Sequence, residues 1–190
     1  MRIPPRTLLV ACLLLVVALI PALAATPWTV VPETSRLSFS GEQMGAPFEG
    51  QFKRYDAEIA FDPEDLAGSR VVVTIDMASA GTGNGDRDAL LPGADWFDVA
   101  NYPQARLETK GFRHLGGESY EAQTILTLRG TAKPVTLPFT LAIAGGTARV
   151  EGATTIRRGD FGVGQGQWAN SAVVGQDVTV RVSLTAKRGR

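Results

Sequence analysis

Most of the chain alternates between apolar and polar residues, with the two-residue period that is typical of half-buried β-strands. In the last such stretch, Val178–Thr185, valine and leucine occupy one parity and threonine, arginine and serine occupy the other. Glycine pairs at Gly116-Gly117 and Gly145-Gly146 indicate hairpins between neighbouring stretches. The pattern predicts roughly eight or nine strands, which begin near Trp28, Arg36, Phe48, Val71, Ala105, Tyr120, Leu137, Thr147 and Val178.

One stretch, Phe48–Phe61, is unusually long, and its apolar residues change parity between Phe52 and Tyr55. A β-bulge near Lys53 and Arg54 inserts one extra residue and would keep both apolar sets on the same face. We therefore expect a single bent strand at this position.

No amphipathic helix in the sequence is long enough to cover a sheet. The apolar faces of the strands must therefore pack against other strands, in a sandwich or a barrel. Long strands and a bulge favour a closed barrel, and about eight strands enclose a space that side chains fill or that one small ligand occupies. We predict one all-β domain over residues 25–190, an antiparallel β-barrel of about eight strands with a short helical cap segment.

The cap segment is Gly81–Pro103, which breaks the alternation and concentrates charged and aromatic residues. Asp86 is the predicted N-cap of a helical turn over Arg87–Leu91, and a second short turn is predicted over Asp95–Ala100. Long excursions from a compact β domain are usually functional or disordered. The apolar residues of this segment argue against disorder, so we interpret it as a cap over one end of the barrel.

The N-terminus has the pattern of a secretory signal peptide. Arg2 and Arg6 precede the apolar run Leu8–Ile20, and Ala22–Ala24 has the form of a cleavage site. The apolar run is short for a membrane span, which needs about 20 residues. We expect residues 1–24 to be removed and the mature protein to lie in the periplasm of a Gram-negative cell. Acylation at Cys12 is the alternative, although the apolar residues follow that cysteine rather than precede it.

Composition excludes several classes of function for the mature domain. The chain has 19 basic and 19 acidic residues, and loss of Arg2 and Arg6 leaves the domain slightly acidic, with no electrostatic reason to bind nucleic acid. Cys12 is the only cysteine, so the mature domain has no disulfide and no thiol chemistry. His114 is the only histidine, so no nucleophile and histidine base are paired, and no cluster has metal-ligand spacing.

The carboxylates of the cap segment leave one enzymatic alternative open. They could form an acid and base pair of a hydrolase, or they could cap helices and form ion pairs with Arg87. The glycine-rich loop Gly159–Gly166 is not followed by a helix, so it lacks the helix N-terminus of a phosphate site. The four carboxylates in question are Asp86, Asp88, Asp95 and Asp98.

Several sequence pieces, taken in order, resemble the YceI-like family of exported lipid-binding proteins. They span Trp28 to Lys187 and comprise Trp28-Thr-Val with Ser35-Arg-Leu-Ser-Phe39, Phe48-Glu-Gly-Gln-Phe52, Ile59-Ala-Phe-Asp-Pro63, Arg87-Asp-Ala-Leu-Leu91, Asp95-Trp-Phe-Asp98, Tyr102-Pro-Gln-Ala105, Leu126-Thr-Leu-Arg-Gly130 with Lys133-Pro-Val, and Arg158-Gly-Asp-Phe-Gly162.

The resemblance implies a lipocalin-like antiparallel barrel that holds a polyisoprenoid chain in some members, with no enzymatic activity and no cofactor apart from a bound isoprenoid lipid or quinone. The Asp95–Asp98 piece is similar to members associated with membrane b-type cytochromes, which implies a quinone ligand and such a cytochrome as partner. A domain with a filled core and a structural or interaction role remains an alternative. The oligomeric state stays open between monomer and homodimer.

Burial of each CH₂ group is favourable by about 0.8 kcal/mol, so an apolar barrel can carry such a chain. The candidate ligand-binding residues fall into three sets by position. The candidates for the cavity wall are Phe39, Phe52, Val73, Ile75, Leu107, Leu126, Phe139 and Val180; those for the entrance are Trp96, Phe97 and Trp168; and those for contact with a polar head group are Arg87 and Arg158.

Overall fold

The computed structural model describes residues 25–189, and in it the strands close into an antiparallel barrel. The predicted signal peptide, residues 1–24, lies outside the described residues. The strands are β1 (Pro27–Val30), β2 (Arg36–Gln43), β3 (Ala46–Phe52), β4 (Tyr55–Ala60), β5 (Arg70–Asp76), β6 (Ala80–Gly81), β7 (Gln104–Gly116), β8 (Ser119–Leu128), β9 (Thr131–Ala144), β10 (Thr147–Arg157) and β11 (Asp177–Arg188), and the helix is α1 (Gly85–Leu90).

Barrel closure depends on β11, which pairs with β10 on one side and with both β1 and β2 on the other. Strands β1 and β2 are two halves of one staggered strand, separated by a short 3₁₀ turn at Pro32–Thr34. From β1 the order continues through β4, β5, β7, β8, β9 and β10 back to β11, which makes eight strands around the barrel. Strands β3 and β6 extend the wall beyond β2. The predicted barrel of about eight strands is confirmed.

The predicted single bent strand over Phe48–Phe61 is wrong: the chain breaks at Lys53 and Arg54 into two strands, β3 and β4, which pair with different neighbours. The backbone at the break still has partners, since Lys53 N donates to the Ser79 carbonyl and Arg54 N donates to the Ser79 hydroxyl. The break moves the apolar residues of both strands to the inner face of the barrel, as the change of parity required.

Two apolar clusters fill the space near the two ends of the barrel. The cluster on the cap side consists of Leu37, Ile75, Met77, Leu91, Phe97, Ala105, Leu126, Leu128, Phe161 and Val163. The cluster at the opposite end consists of Trp28, Phe61, Tyr120, Leu141, Ala148 and Ala186.

The cap segment forms one short helix, and the predicted N-cap is wrong. The helix α1 is capped by Asn84, whose side chain accepts from Arg87 N at 2.9 Å, whereas Asp86 lies inside the first turn. Asn84 has the extended backbone that an N-cap needs, and Gly85 follows it directly. The second short turn predicted over Asp95–Ala100 lies within residues 91–101, which continue as hydrogen-bonded turns.

The long connection between β10 and β11 is organised by a buried arginine. Arg158 is 3% exposed, and its guanidinium donates to the carbonyl oxygens of Val163, Gly164, Trp168, Val174 and Gly175 at 2.6–2.9 Å. These five bonds use every N–H of the side chain. Burial lowers the pKa of Arg158. The carbonyl dipoles therefore take the place of a carboxylate partner and tie both ends of the loop to one cation.

Replacement of this arginine should loosen the loop. Arg158→Met leaves several buried carbonyls without a donor, at a cost of about 1–3 kcal/mol each, so we expect a loss of unfolding free energy of at least about 3 kcal/mol. The urea midpoint measures it. The neighbouring Arg157 is exposed, so Arg157→Met should change stability by no more than about 0.5 kcal/mol. Equal losses in the two variants would contradict the role of Arg158.

Candidate ligand-binding cavity

The interior of the barrel contains a cavity of about 290 Å³ that is lined almost entirely by apolar side chains. Its walls include residues of all the strands that close the barrel. The strand alternation explains this, because one parity of every strand faces inward. The predicted wall residues, Phe39, Phe52, Val73, Ile75, Leu107, Leu126, Phe139 and Val180, all line the cavity.

Several inward-facing side chains are only partly buried, although the barrel wall surrounds them. Val73, Leu107 and Val180 belong to this group. Protein interiors are normally close-packed, so side chains in a filled core at this depth would lose nearly all their accessible surface. The remaining free surface faces the cavity. This geometry speaks against the alternative of a domain with a filled core.

Glycines shape the cavity wall, and the sequence analysis did not identify this role. A Cβ atom at Gly50 would collide with the ring of Phe39, which packs across the strand pair β2–β3. A Cβ at Gly152 would lie 2.9 Å from the Pro138 carbonyl oxygen and 3.0 Å from the Phe139 Cβ. Gly50 thus makes room for the ring of Phe39, and Gly152 allows the close approach of β9. A glycine among the inward apolar positions of a strand is the sequence signal for such a close contact.

The end of the barrel away from the cap is packed with aromatic rings. Phe61 meets Phe112 edge-on at 5.0 Å between centroids, and Tyr120 stacks on Phe139 at 5.5 Å. The indole of Trp28 donates to the Phe61 carbonyl at 2.9 Å. Phe61, Phe112 and Trp28 also line the cavity, although the sequence analysis did not select them as wall residues.

The predicted entrance residues lie together at the cap end, but they differ in burial. Trp96 and Trp168 are partly buried and their rings lie 5.7 Å apart, which joins the cap segment to the loop before β11. Phe97 is 8% exposed and packs on Phe52 at 6.3 Å, as part of the cap-side cluster. All three line the cavity. Trp96 therefore lies at the mouth, whereas Phe97 forms its packed base.

The indole nitrogen of Trp96 differs from the other buried polar atoms in its hydrogen bonding. Within residues 25–189, it is the one buried side-chain polar atom that has no hydrogen-bond partner. A buried donor without a partner costs stability, so its retention at the mouth calls for an explanation. Because the nitrogen is itself shielded, an acceptor on a ligand would reach it only after the indole shifts against Trp168.

The two predicted head-group arginines both line the cavity, but only one has donors to spare. Arg158 uses all five N–H groups on loop carbonyls, so it holds the loop and has none left for a ligand. Arg87 donates through Nε to the Gln43 side chain at 3.0 Å, and its guanidinium lies 4.3 Å from the ring centroid of Phe48. No carboxylate of the described chain lies within ion-pair distance of Arg87.

The carboxylates of the cap mostly stabilise turns. Asp88 accepts from both the hydroxyl and the N–H of Thr82 at 2.7 Å, and these bonds hold its pKa below the usual range. Asp98 accepts from the Asn101 side chain at 3.0 and 3.1 Å. The predicted ion pairs between these carboxylates and Arg87 are absent from the described chain. Both carboxylates thus belong to the local structure of the cap, which weakens the hydrolase alternative.

Other sources of chemistry are also lacking in the part of the chain that the structure describes. No group of three histidine, cysteine or acidic side chains is arranged to hold a metal ion between residues 25 and 189. His114 is exposed, stacks on Tyr120 at 4.5 Å and contacts the Gly117 carbonyl. Across the same residues, no helix has the length and apolar character needed to cross a membrane.

Comparison with solved structures finds the same barrel. BcnA of Burkholderia cenocepacia is 35% identical, with a TM-score of 0.80 over 84% of this chain and 100% of that chain. A polyisoprenoid binding domain from Saccharophagus degradans is 16% identical, with a TM-score of 0.69 over 86% of this chain and 99% of that one, and this likeness shows the fold alone.

Comparison with curated sequences gives relatives of similar extent. A UPF0312 protein of Pseudomonas syringae pv. tomato is 28% identical over 150 residues, which is 75% of this chain and 78% of the relative. A UPF0312 protein of Vibrio cholerae is 28% identical over 134 residues, or 67% of this chain and 71% of the relative. The family model described as a YceI-like domain matches residues 28–186, which cover the whole barrel from β1 into β11. This chain belongs to the YceI-like family.

Proposed function

We propose that this protein is an exported lipid-binding protein that sequesters or carries an isoprenoid-type amphiphile inside its barrel. The observation that carries the proposal is the apolar cavity along the barrel, with partly accessible side chains on its wall and a mouth at the cap. An apolar cavity of this kind offers water few hydrogen-bond partners. A hydrocarbon chain that enters it gains about 0.8 kcal/mol for each buried CH₂, so a few isoprene units give useful affinity.

The relatives support the isoprenoid class. The solved domain from Saccharophagus degradans is described as a polyisoprenoid binding domain and has the same barrel. The Asp95-Trp-Phe-Asp98 piece at the mouth favours an isoprenoid quinone as the alternative to a polyisoprenoid, with a membrane b-type cytochrome as the partner that exchanges it. The N-terminal pattern of residues 1–24 supports a periplasmic location.

The polar groups at the mouth favour an amphiphilic ligand over a pure hydrocarbon. Arg87 has a hydrogen bond through Nε only, and its terminal nitrogens have no carboxylate partner among residues 25–189. A guanidinium held on an aromatic face in this way can donate to an oxygen of a ligand without losing its position. We therefore assign the contact with a polar head group to Arg87, and not to Arg158.

Identification of the bound material tests the proposal directly. The protein is expressed with its leader in a Gram-negative host, purified without detergent, and examined by native mass spectrometry and by organic extraction. We expect a retained isoprenoid at close to one molecule per barrel. Purified protein that holds no lipid and takes up neither a polyprenol nor a quinone would refute the proposal.

Partial filling of the cavity should reduce lipid uptake without unfolding the protein. Val73→Trp places a large ring in the empty space, so bound lipid should fall several-fold while the urea midpoint stays nearly unchanged. In a filled core, the same overpacking would cost about 1–3 kcal/mol. Ile125→Trp is the matched control, because Ile125 lies on the outer face of β8 and does not line the cavity. A large loss of stability in Val73→Trp with unchanged lipid content would favour the filled core.

The two neighbouring aromatic residues of the cap should respond differently to truncation. Trp96→Ala opens the mouth, so a fluorescent isoprenoid should leave the barrel faster, since affinity changes appear mainly in the off-rate. Phe97→Ala removes a buried ring and should lower the free energy of unfolding by about 3–5 kcal/mol. Stopped-flow release and urea unfolding on both variants separate the two effects. An unchanged release rate in Trp96→Ala would show that this side chain does not gate the cavity.

A further inference from the structure

Three chain segments surround the mouth of the cavity and form a continuous collar, which comprises residues 43–48, 89–94 and 161–176. The first and third segments are joined, because Met44 N donates to the Val173 carbonyl at 2.9 Å and Gln43 pairs with Val174 in an isolated bridge. The helix that leads into the second segment reaches the first through the bond from Arg87 to Gln43. The packing of Trp96 on Trp168 links the cap segment to the third. The collar thus encircles the opening.

The collar carries no acidic or basic residue in any of its three segments, although 20% of the chain is charged. The opposite end of the barrel differs, since its hairpin between β7 and β8 contains Arg113 and Glu118 and the loop before β5 contains Asp62 and Glu64. Exposed loops at the end of a barrel are ordinarily polar and charged. Acidic residues directly flank each of the three segments, so the uncharged surface is confined to the collar itself, and the β9–β10 hairpin at the opposite end is also uncharged.

Met44 at the tip of the first segment is unusual in both its exposure and its backbone conformation. It is 80% exposed, and its φ is 52°, followed by Gly45 at φ 77°. Positive φ at both central positions of a hairpin turn is the type I′ geometry, which favours Asn, Asp or Gly. In the free protein, neither the left-handed backbone conformation nor the exposed position of Met44 favours a methionine. A residue type that is disfavoured by its own backbone conformation and exposure, and that does not stabilise the fold in exchange, indicates a functional position.

Leu90 places a second large apolar side chain on the collar. It is 41% exposed on α1 and also lines the cavity. Arg87 lies one helical turn before it, on the same side of α1. The rim therefore presents two exposed apolar side chains near one cation, the arrangement with which proteins contact the boundary between acyl chains and head groups.

We propose that the collar docks on the surface of a lipid bilayer, so that the mouth of the barrel opens against the leaflet. The inference rests on the proposed function, because an isoprenoid that belongs to a membrane must pass from the leaflet into the barrel. A long apolar chain that crosses open water exposes its whole surface, whereas a mouth seated on the leaflet keeps the chain in an apolar medium throughout. An uncharged collar with apolar tips fits the apolar part of the leaflet.

Vesicle binding by the full mature protein tests docking apart from lipid uptake. The probe is protein-free vesicles of phosphatidylethanolamine and phosphatidylglycerol without isoprenoid, and flotation measures the bound fraction. We expect binding that falls less than twofold between 0.05 and 0.5 M salt, because the three collar segments carry no charge and the attraction of Arg87 beside them to the lipid head groups is a minor part of the binding. Met44→Asn should lower the partition coefficient at least fivefold, and Met44→Asn combined with Leu90→Asn should lower it at least tenfold.

The substitution at Met44 is informative because asparagine suits the turn, so Met44→Asn should fold at least as stably as the original protein. The matched control is Leu115→Asn, since Leu115 is 54% exposed at the opposite end of the barrel. It should leave vesicle binding unchanged within twofold. Uptake of a soluble fluorescent isoprenoid from detergent reports on the cavity itself, and Met44→Asn should preserve it because Met44 does not line the cavity.

The outcomes distinguish this inference from the proposed function. Failure to bind any isoprenoid in detergent would refute the proposed function, whatever the vesicles show. Isoprenoid uptake without binding to protein-free vesicles would overturn bilayer docking and favour a protein partner at the mouth. Equal loss of vesicle binding in Met44→Asn and Leu115→Asn would also overturn it, because membrane contact would then not be specific to the collar.

Discussion

The structure depends on the pairing of β11 with both halves of the first strand. Ala186–Arg188 pair with β1 and Thr179–Ser183 pair with β2, so one long strand closes the barrel over its full height. Closure removes the edges of the sheet and fixes how many strands surround the interior. Eight strands enclose a space that side chains can just fill or that one small ligand can occupy. In this barrel the inward side chains leave a cavity of about 290 Å³.

Closure also explains why the two ends of the barrel differ. At the end opposite the cap, short hairpins connect the strands, and aromatic rings pack across the opening. At the cap end, the long connections before β7 and β11 must be fixed by other means. The buried cation Arg158 organises one of them through five carbonyl bonds, and Asn84, Thr82 and Asp88 organise the other through local caps. A mouth remains where these two connections meet the β2–β3 hairpin.

Polar groups at the mouth divide into those that hold the fold and those that remain for a ligand. Arg158, Asp88 and Asp98 have their hydrogen bonds within the chain. Arg87 has one such bond, through Nε to Gln43, and the indole nitrogen of Trp96 has none; both residues lie where the cavity meets the cap. This division fits a binding site for an amphiphile, and two of the four carboxylates that a hydrolase could use, Asp88 and Asp98, are engaged in turns.

The sequence determined most of the strands, the change of parity at Lys53 and Arg54, the single barrel and the inward residues, because alternation and hairpin glycines are local signals. The residues predicted for the wall, from Phe39 to Val180, line one cavity for that reason. Only the tertiary structure decided which arginine has spare donors, since the loop carbonyls around Arg158 come from positions up to 17 residues away. Asn84 rather than Asp86 caps α1 because the path of the chain after β6 decides where the helix begins. Whether the interior is filled or hollow also depends on the tilt and stagger of closed strands, which no local pattern encodes.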